Sequence, residues 1–273
     1  MLFVALVSLT SFARAEDPLF VGTQVPAAEV AKPETNLSAE LGFGWTTGNT
    51  MTYNLNVSTV ASHKWGQNKL GVFGGANVAQ SVLDTDANGV LSDAERTAGY
   101  AKTAQKIAID GRYDRFFGER NSLYALAGWL TDPFTGYDFR THGQLGYARL
   151  LVKSDKASLS GELGADVALE NYTADAVAGG APESAVIIAA RAQLDFTYKF
   201  NENVAFADKL EVYENVQLPA DLRILNTASI SSKLSDKFSL KLSHSLTFDN
   251  TPVTEEYQKL DQTTLATFVA SIL

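Results

Sequence analysis

Residues 184–200, SAVIIAARAQLDFTYKF, alternate without a break. Val186, Ile188, Ala190, Ala192, Leu194, Phe196, Tyr198 and Phe200 share one parity, and Arg191, Gln193, Asp195, Thr197 and Lys199 the other. Successive side chains leave opposite faces of a pleated strand, so the stretch reads as one β-strand with an apolar and a polar face. Strands in soluble domains average about 5–6 residues, whereas a strand crossing a bilayer needs ~9–11 tilted ones. A strand this long, apolar on one side only, suits a wall between lipid and water.

The composition is compatible with that wall. Charged residues make up 19% of the 273, and there is no cysteine. A barrel that is apolar outside and polar inside averages to such values. The formal net charge of −9 argues against nucleic acid, which needs a basic stripe. Leu2 to Phe12 is a short apolar core followed by Ala13-Arg14-Ala15, the pattern of a cleaved signal peptide and too short for a membrane helix. Residues 1–15 are therefore expected to be an export signal of a Gram-negative-type cell, 16–35 a proline-containing periplasmic lead-in, and 36–273 the barrel. The basic start usual in such a signal is missing, which points to a start codon assigned too late.

Twelve strands are legible from Asn36 onward. The first turns Leu41, Phe43 and Trp45 outward against Glu40, Gly42 and Gly44; the second turns Tyr53, Leu55 and Val57 outward against Asn54, Asn56 and Ser58. The sixth sets Phe139, Leu145 and Tyr147 against Asp138, Arg140, His142 and Gln144, and the seventh sets Leu159, Leu163 and Val167 against Glu162, Asp166 and Glu170. The fifth is ambiguous and supports no assignment of faces. Connections after even-numbered strands are short, while those after strands three, seven and eleven (82–98, 172–183, 250–259) are long. Short periplasmic turns, long outer loops and an even strand count define the bacterial outer-membrane type. The fold expected is all-β, a transmembrane up-and-down antiparallel β-barrel of about 12 strands, in preference to a sandwich of short strands. Trp65, Phe116, Phe200 and Phe238 near the periplasmic ends, and Trp45, Phe134, Tyr137 and Phe248 near the outer ends, would form aromatic girdles. The chain stops at Ile272-Leu273, where many such barrels carry a terminal aromatic, so its signal to the outer-membrane assembly machinery is expected to be weak.

Three stretches carry a family likeness: GFGWTTGNT near the start, YDRFFGERNSLYALAG in the middle, and the Lys259-Leu260-Asp261 to Leu273 end. With them the chain resembles the salt-induced outer-membrane protein family, domain of unknown function 481, over about Leu37 to Leu273. The resemblance implies an outer-membrane barrel of unknown biochemical function and brings no catalytic residues.

The most specific motif lies in the longest loop, residues 84–95, DTDANGVLSDAE. It fits D-x-[DN]-x-[DN]-G-x5-E, the EF-hand calcium loop, at every defined position. Calcium takes six to eight hard oxygens. Asp84, Asp86 and Asn88 would give side-chain ligands, Val90 its carbonyl, Ser92 a water-mediated contact and Glu95 a bidentate carboxylate, while Gly89 permits the turn. The competing reading is an acidic, solvated loop. No flanking helix pair is present beyond a turn at 92–97 capped by Ser92 and Glu95, so binding in the ~10⁻⁴–10⁻³ M range is expected.

If the strand parities hold, Asp138, Arg140, Glu162, Asp166, Arg191 and Asp195 line the lumen on three consecutive strands. They form either a charge ladder that fills the barrel or the wall of a permeation path. Eight strands are filled by side chains and 16–18 leave a channel; twelve lies between. Catalysis is the weaker alternative. The three histidines, His63, His142 and His244, are scattered, and a lipid hydrolase needs nucleophile, base and orienter within hydrogen-bond reach. The reading is a narrow passive channel for ions or small solutes, embedded in outer-membrane lipid, with a calcium-binding outer loop. The rival is a closed structural or surface-interaction barrel that calcium steadies.

Overall fold

The computed structural model describes residues 33–47, 51–86, 90–254 and 258–272. The signal peptide and nearly all of the lead-in lie outside these, as do Asn88 and Gly89 of the calcium motif. Twelve strands follow in order: β1 Glu34–Thr46, β2 Thr52–Trp65, β3 Asn68–Ser81, β4 Ala101–Phe117, β5 Asn121–Asp132, β6 Tyr137–Lys153, β7 Ala157–Tyr172, β8 Ser184–Lys199, β9 Val204–Asn215, β10 Leu222–Lys233, β11 Phe238–Asp249 and β12 Leu260–Ser271. The strand system starts two residues before Asn36, since Glu34 already pairs with Lys64. All neighbours are antiparallel, and β12 returns to β1 to close the barrel.

Closure sets the chemistry of the two faces. A 12-residue strand is ~40 Å long, enough to cross an apolar band of ~25 Å at a steep tilt. Many large apolar side chains are exposed, among them Leu41, Phe43, Trp45, Leu145, Leu163, Leu194 and Leu242. The buried residues are mostly polar or charged, with Glu162, Asp166 and Glu170 at 2% exposure or less. This inversion of a soluble core is what a lipid-facing wall requires. Two small apolar clusters interrupt the polar interior, Val60 with Phe73 and Tyr124 with Leu126 and Ala148.

The seam is the shortest ladder. β1 and β12 share five register pairs, Ser38↔Ser271 to Gly42↔Thr267, against thirteen between β1 and β2. A buried ion pair straps it from inside, Lys241 Nζ of β11 reaching Glu40 of β1 at 2.7 Å across β12.

Three expectations are corrected, two of them by a β-bulge. The ladder between β6 and β7 slips between Tyr137 and Phe139, because an extra residue breaks the alternation that parity counting assumes. Asp138 is therefore exposed and does not join the inner charges. Tyr137 stands opposite Tyr172 with ring centroids 5.7 Å apart, on the inner side rather than in the outer girdle. At the periplasmic end, Phe116 faces inward under Lys64, whose Nζ lies 5.7 Å from its ring, and Phe117 takes the exposed position. The outer connections carry α1 Asp93–Ala98, α2 Ala174–Ala178 and a 3-10 turn, Pro133–Thr135.

Candidate functional site

The interior divides into two unlike walls. From β4 to β10 it is crossed by long charged and aromatic side chains. Arg191 of β8 is the hub: its guanidinium meets Glu162 of β7 at 2.7 Å, Glu211 of β9 at 3.0 Å and the Tyr124 hydroxyl of β5 at 2.8 Å, and also Gln193. Arg112 of β4 reaches the other oxygen of Glu162 at 2.8 Å, pairs with Asp114 at 2.7 Å and stacks 4.2 Å from the Tyr124 ring centroid. Glu162 of β7 thus ties Arg112 of β4 and Arg191 of β8 together through the interior. Buried charges are tolerable when each has an opposite charge beside it.

Tyr124 fits because the wall beneath it has no side chains. Gly146 and Gly164 are paired on β6 and β7. A Cβ at Gly146 would come within 2.6 Å of the Tyr124 ring, and one at Gly164 within 2.7 Å of its hydroxyl. Glycine is required here for close approach, and it lets the phenol lie flat across two strands to Arg191.

Nearer the outer end, Arg140 lies 3.7 Å from Asp166 and 3.4 Å from Glu170, while Arg223 of β10 reaches Glu170 at 2.8 Å. His142 has Nε2 at 3.2 Å from Asp110 and Nδ1 at 3.1 Å from Asp166. Asp195 accepts from Gln193 at 2.6 Å. Five of the six residues expected to line the lumen thus meet in one network, and Asp138 does not. Arg112, Tyr124, Glu211, Tyr213 and Arg223 join it without having been singled out by the sequence. The parity of β4 and β9 could have revealed the charges. Nothing in one sequence says that a tyrosine will lie over two glycines of other strands.

The opposite wall, β11, β12 and β1 to β3, is lined by small polar residues, including Asn56, Ser58, Asn77, Ser243, Ser245 and Thr263. Asn56 Nδ2, Ser58 Oγ, Asn77 Oδ1 and Ser243 Oγ are buried without a hydrogen-bond partner. At the periplasmic mouth the barrel opens into a cavity of about 660 Å³.

The outer loop is described at residues 84–86 and from 90 onward. Ser92 caps α1: its hydroxyl accepts from the Glu95 backbone at 3.3 Å, and the Glu95 side chain accepts from the Ser92 backbone at 2.8 Å, a reciprocal capping box. The other Glu95 oxygen accepts from the Thr85 N–H at 2.6 Å and hydroxyl at 2.8 Å. These donors, led by the Ser92 N–H, hold the Glu95 carboxyl down at about 2. Carboxylate oxygens of Asp84, Asp86 and Glu95 lie within 4.8 Å of one another. Oxygens sharing one calcium ion are at most about 5 Å apart, so the three fit a common cation. Val90 is exposed and Ser92 sits at the helix start.

His244 is exposed on the outer wall, with Nδ1 3.0 Å from the Thr264 hydroxyl. Its neighbours Ser243 and Ser245 are buried on the inner face, so the alternation itself separates this imidazole from both hydroxyls.

The chain matches the family described as "Protein of unknown function, DUF481" over residues 39–272. It is 23% identical over 252 residues to the uncharacterized protein YdiY of Escherichia coli K12, covering 92% of this chain and 88% of the relative. Among solved structures, the NanC porin superposes with a TM-score of 0.50 at 11% identity, over 87% of this chain and all of that one. The translocator domain of the autotransporter NalP from Neisseria meningitidis gives 0.46 at 9% identity, over 92% and 89%. At such identities the likeness is one of fold.

Proposed function

Since the chain belongs to the DUF481 family, whose activity is open, we propose that it is a narrow outer-membrane channel for ions or small solutes with a calcium-binding loop at its outer end. The observation that carries the channel is the unequal interior. One wall is crossed by long, ion-paired side chains, whereas the other is lined largely by small polar ones; polar atoms that no protein group meets are buried on both, at Asn56, Ser58, Asn77 and Ser243 of the second and at Ser122 and Gln144 of the first. Buried polar atoms need partners, and water is the one that fits small hydroxyls and amides. A hydrated track along β11, β12 and β1 to β3, beside the Arg191 lattice, supports passage of small polar species. On this reading the protein is exported on a cleaved leader and inserted by the assembly machinery into outer-membrane lipid.

The calcium reading rests on the full motif and on the convergence of Asp84, Asp86 and Glu95. Calcium must compete with the Thr85 and Ser92 donors already on Glu95, which fits weak, extracellular-type binding, ~10⁻⁴–10⁻³ M. A specific observation favours the closed barrel as a second reading: Arg112, Tyr124 and Arg191 already cross the interior.

Single-channel recording in planar bilayers, with calcium and then with a chelator, decides between the two. Discrete conductance steps are expected, while silence from folded, heat-modifiable protein favours the closed barrel. Calorimetry on refolded protein is expected to show calcium heat that Asp84→Asn removes with the Ser92–Glu95 cap intact. No such heat would end the calcium assignment.

A further inference from the structure

Inward-facing charge separates along the barrel axis. At the outer end Asp132, Glu170, Asp221, Asp249 and Asp261 outnumber Lys106, Arg140 and Arg223. The periplasmic end reverses this. Lys64 and Lys69 are direct register partners on β2 and β3, Lys153 lies within electrostatic reach of Lys64 from β6, and Glu34 and Asp114 are the inward acids at that level.

The 660 Å³ cavity of the periplasmic mouth is lined by Lys156, Lys199 and Lys233 together with an equal number of acids, Asp155, Glu202 and Asp236. Asp236 is held by Lys233 at 2.8 Å. Lys156 and Lys199 are joined through backbone, the Lys199 N–H donating to the Lys156 carbonyl at 2.7 Å. Among the described residues, neither ammonium has an ion pair. Like charges on adjacent strand positions are destabilising, and a multivalent anion between them converts that repulsion into charge-assisted hydrogen bonds. Hydroxyls of Ser231, Ser239 and Ser271 on the same cavity wall add neutral donors.

We propose that the periplasmic mouth is a binding site for a small multivalent oxyanion, held by Lys156 and Lys199 as paired cations. This deepens the channel reading by giving the solute's charge class, although the binding itself needs no conduction. The two sources of such chemistry are a free solute and the headgroup of an anionic lipid.

The test is isothermal titration of pyrophosphate into the full barrel, folded in an uncharged maltoside detergent, with short-chain phosphatidylglycerol as a competing probe. Saturable binding that weakens with salt is expected, falling about tenfold or more in Lys156→Gln/Lys199→Gln, since two charged hydrogen bonds are lost. The outer-loop variant Lys259→Gln should bind like the wild type. Absence of saturable binding, or equal binding in all three proteins, overturns the proposal. Binding of phosphatidylglycerol but not pyrophosphate assigns the lysines to lipid and overturns the solute site. Pyrophosphate binding by a barrel that is silent in bilayers would leave this site standing and remove the channel reading. Conduction without binding would do the reverse.

Discussion

The wall from β4 to β10 and the wall from β11 through β1 to β3 are built by the same alternation, yet they solve the interior problem differently. The first fills space with Arg112, Arg191, Tyr124 and their carboxylates, so that each charge has a partner. The second is lined largely by Ser, Asn and Thr, and polar atoms without a protein hydrogen bond occur on both walls, as at Ser58 and Ser243 here and Ser122 and Gln144 there. A side chain that reaches across several strands fixes wall positions relative to one another. A short hydroxyl does not reach, and it leaves room. Cross-strand ties therefore belong chiefly to one half of the barrel and short side chains to the other.

The contrast breaks first at its hub. Arg191→Ala takes from Glu162 one of its two guanidinium partners, leaving Arg112, and leaves Glu211 with Lys209 as its cation. It should lower unfolding stability by roughly 3–5 kcal/mol, as removal of one partner of a buried pair does, read from urea unfolding in lipid vesicles. Arg191→Lys should rescue only part, because a point charge cannot replace the planar fork. A loss as small as that of a surface lysine would show the lattice to be incidental.

Gly146→Val tests the same wall through shape. The added side chain meets the Tyr124 ring, and the expected cost is ~1–3 kcal/mol, typical of overpacking. In bilayers the same variant should alter conductance by displacing the phenol. On the other wall, Ser243→Ala removes a buried hydroxyl that has no partner. Stability should stay within ~0.5 kcal/mol of wild type, with any effect appearing as reduced ion flow. Equal costs for Gly146→Val and Ser243→Ala would erase the distinction between the walls.

The smallest effect is local to the outer loop. Glu95 is held at about 2 by the Ser92 and Thr85 donors, below the ~4.3 of an unperturbed glutamate. A depressed carboxyl contributes stability that is complete above the unfolded value and is lost as pH falls through the folded one. The α1 cap should thus persist from neutral pH to about 4 and fade towards 2. The Glu95 carboxyl carbon followed by NMR checks this, and Ser92→Ala should move its midpoint upward.

How much of this was legible in the sequence follows from range. Strand count, the faces of β1, β2, β7 and β8, the short and long connections and the Ser92–Glu95 cap are all local. A two-residue period or a three-residue spacing fixes them, and apolar side chains must leave the polar interior wherever a wall separates lipid from water. The faces of β5 and the bulge that expels Asp138 and turns Tyr137 inward were not legible, whereas the inner side of Phe116 follows from the parity it shares with Arg112 and Asp114. A single inserted residue reverses every later parity, and only pairing with a neighbouring strand reveals where it lies. The sequence by itself determined the alternation, and with it the outer-membrane type of barrel. The tertiary structure alone decided that Tyr124 lies over Gly146 and Gly164 to reach Arg191, and that Lys156 stands beside Lys199. Those contacts depend on ring closure and register, which bring together residues far apart in the chain.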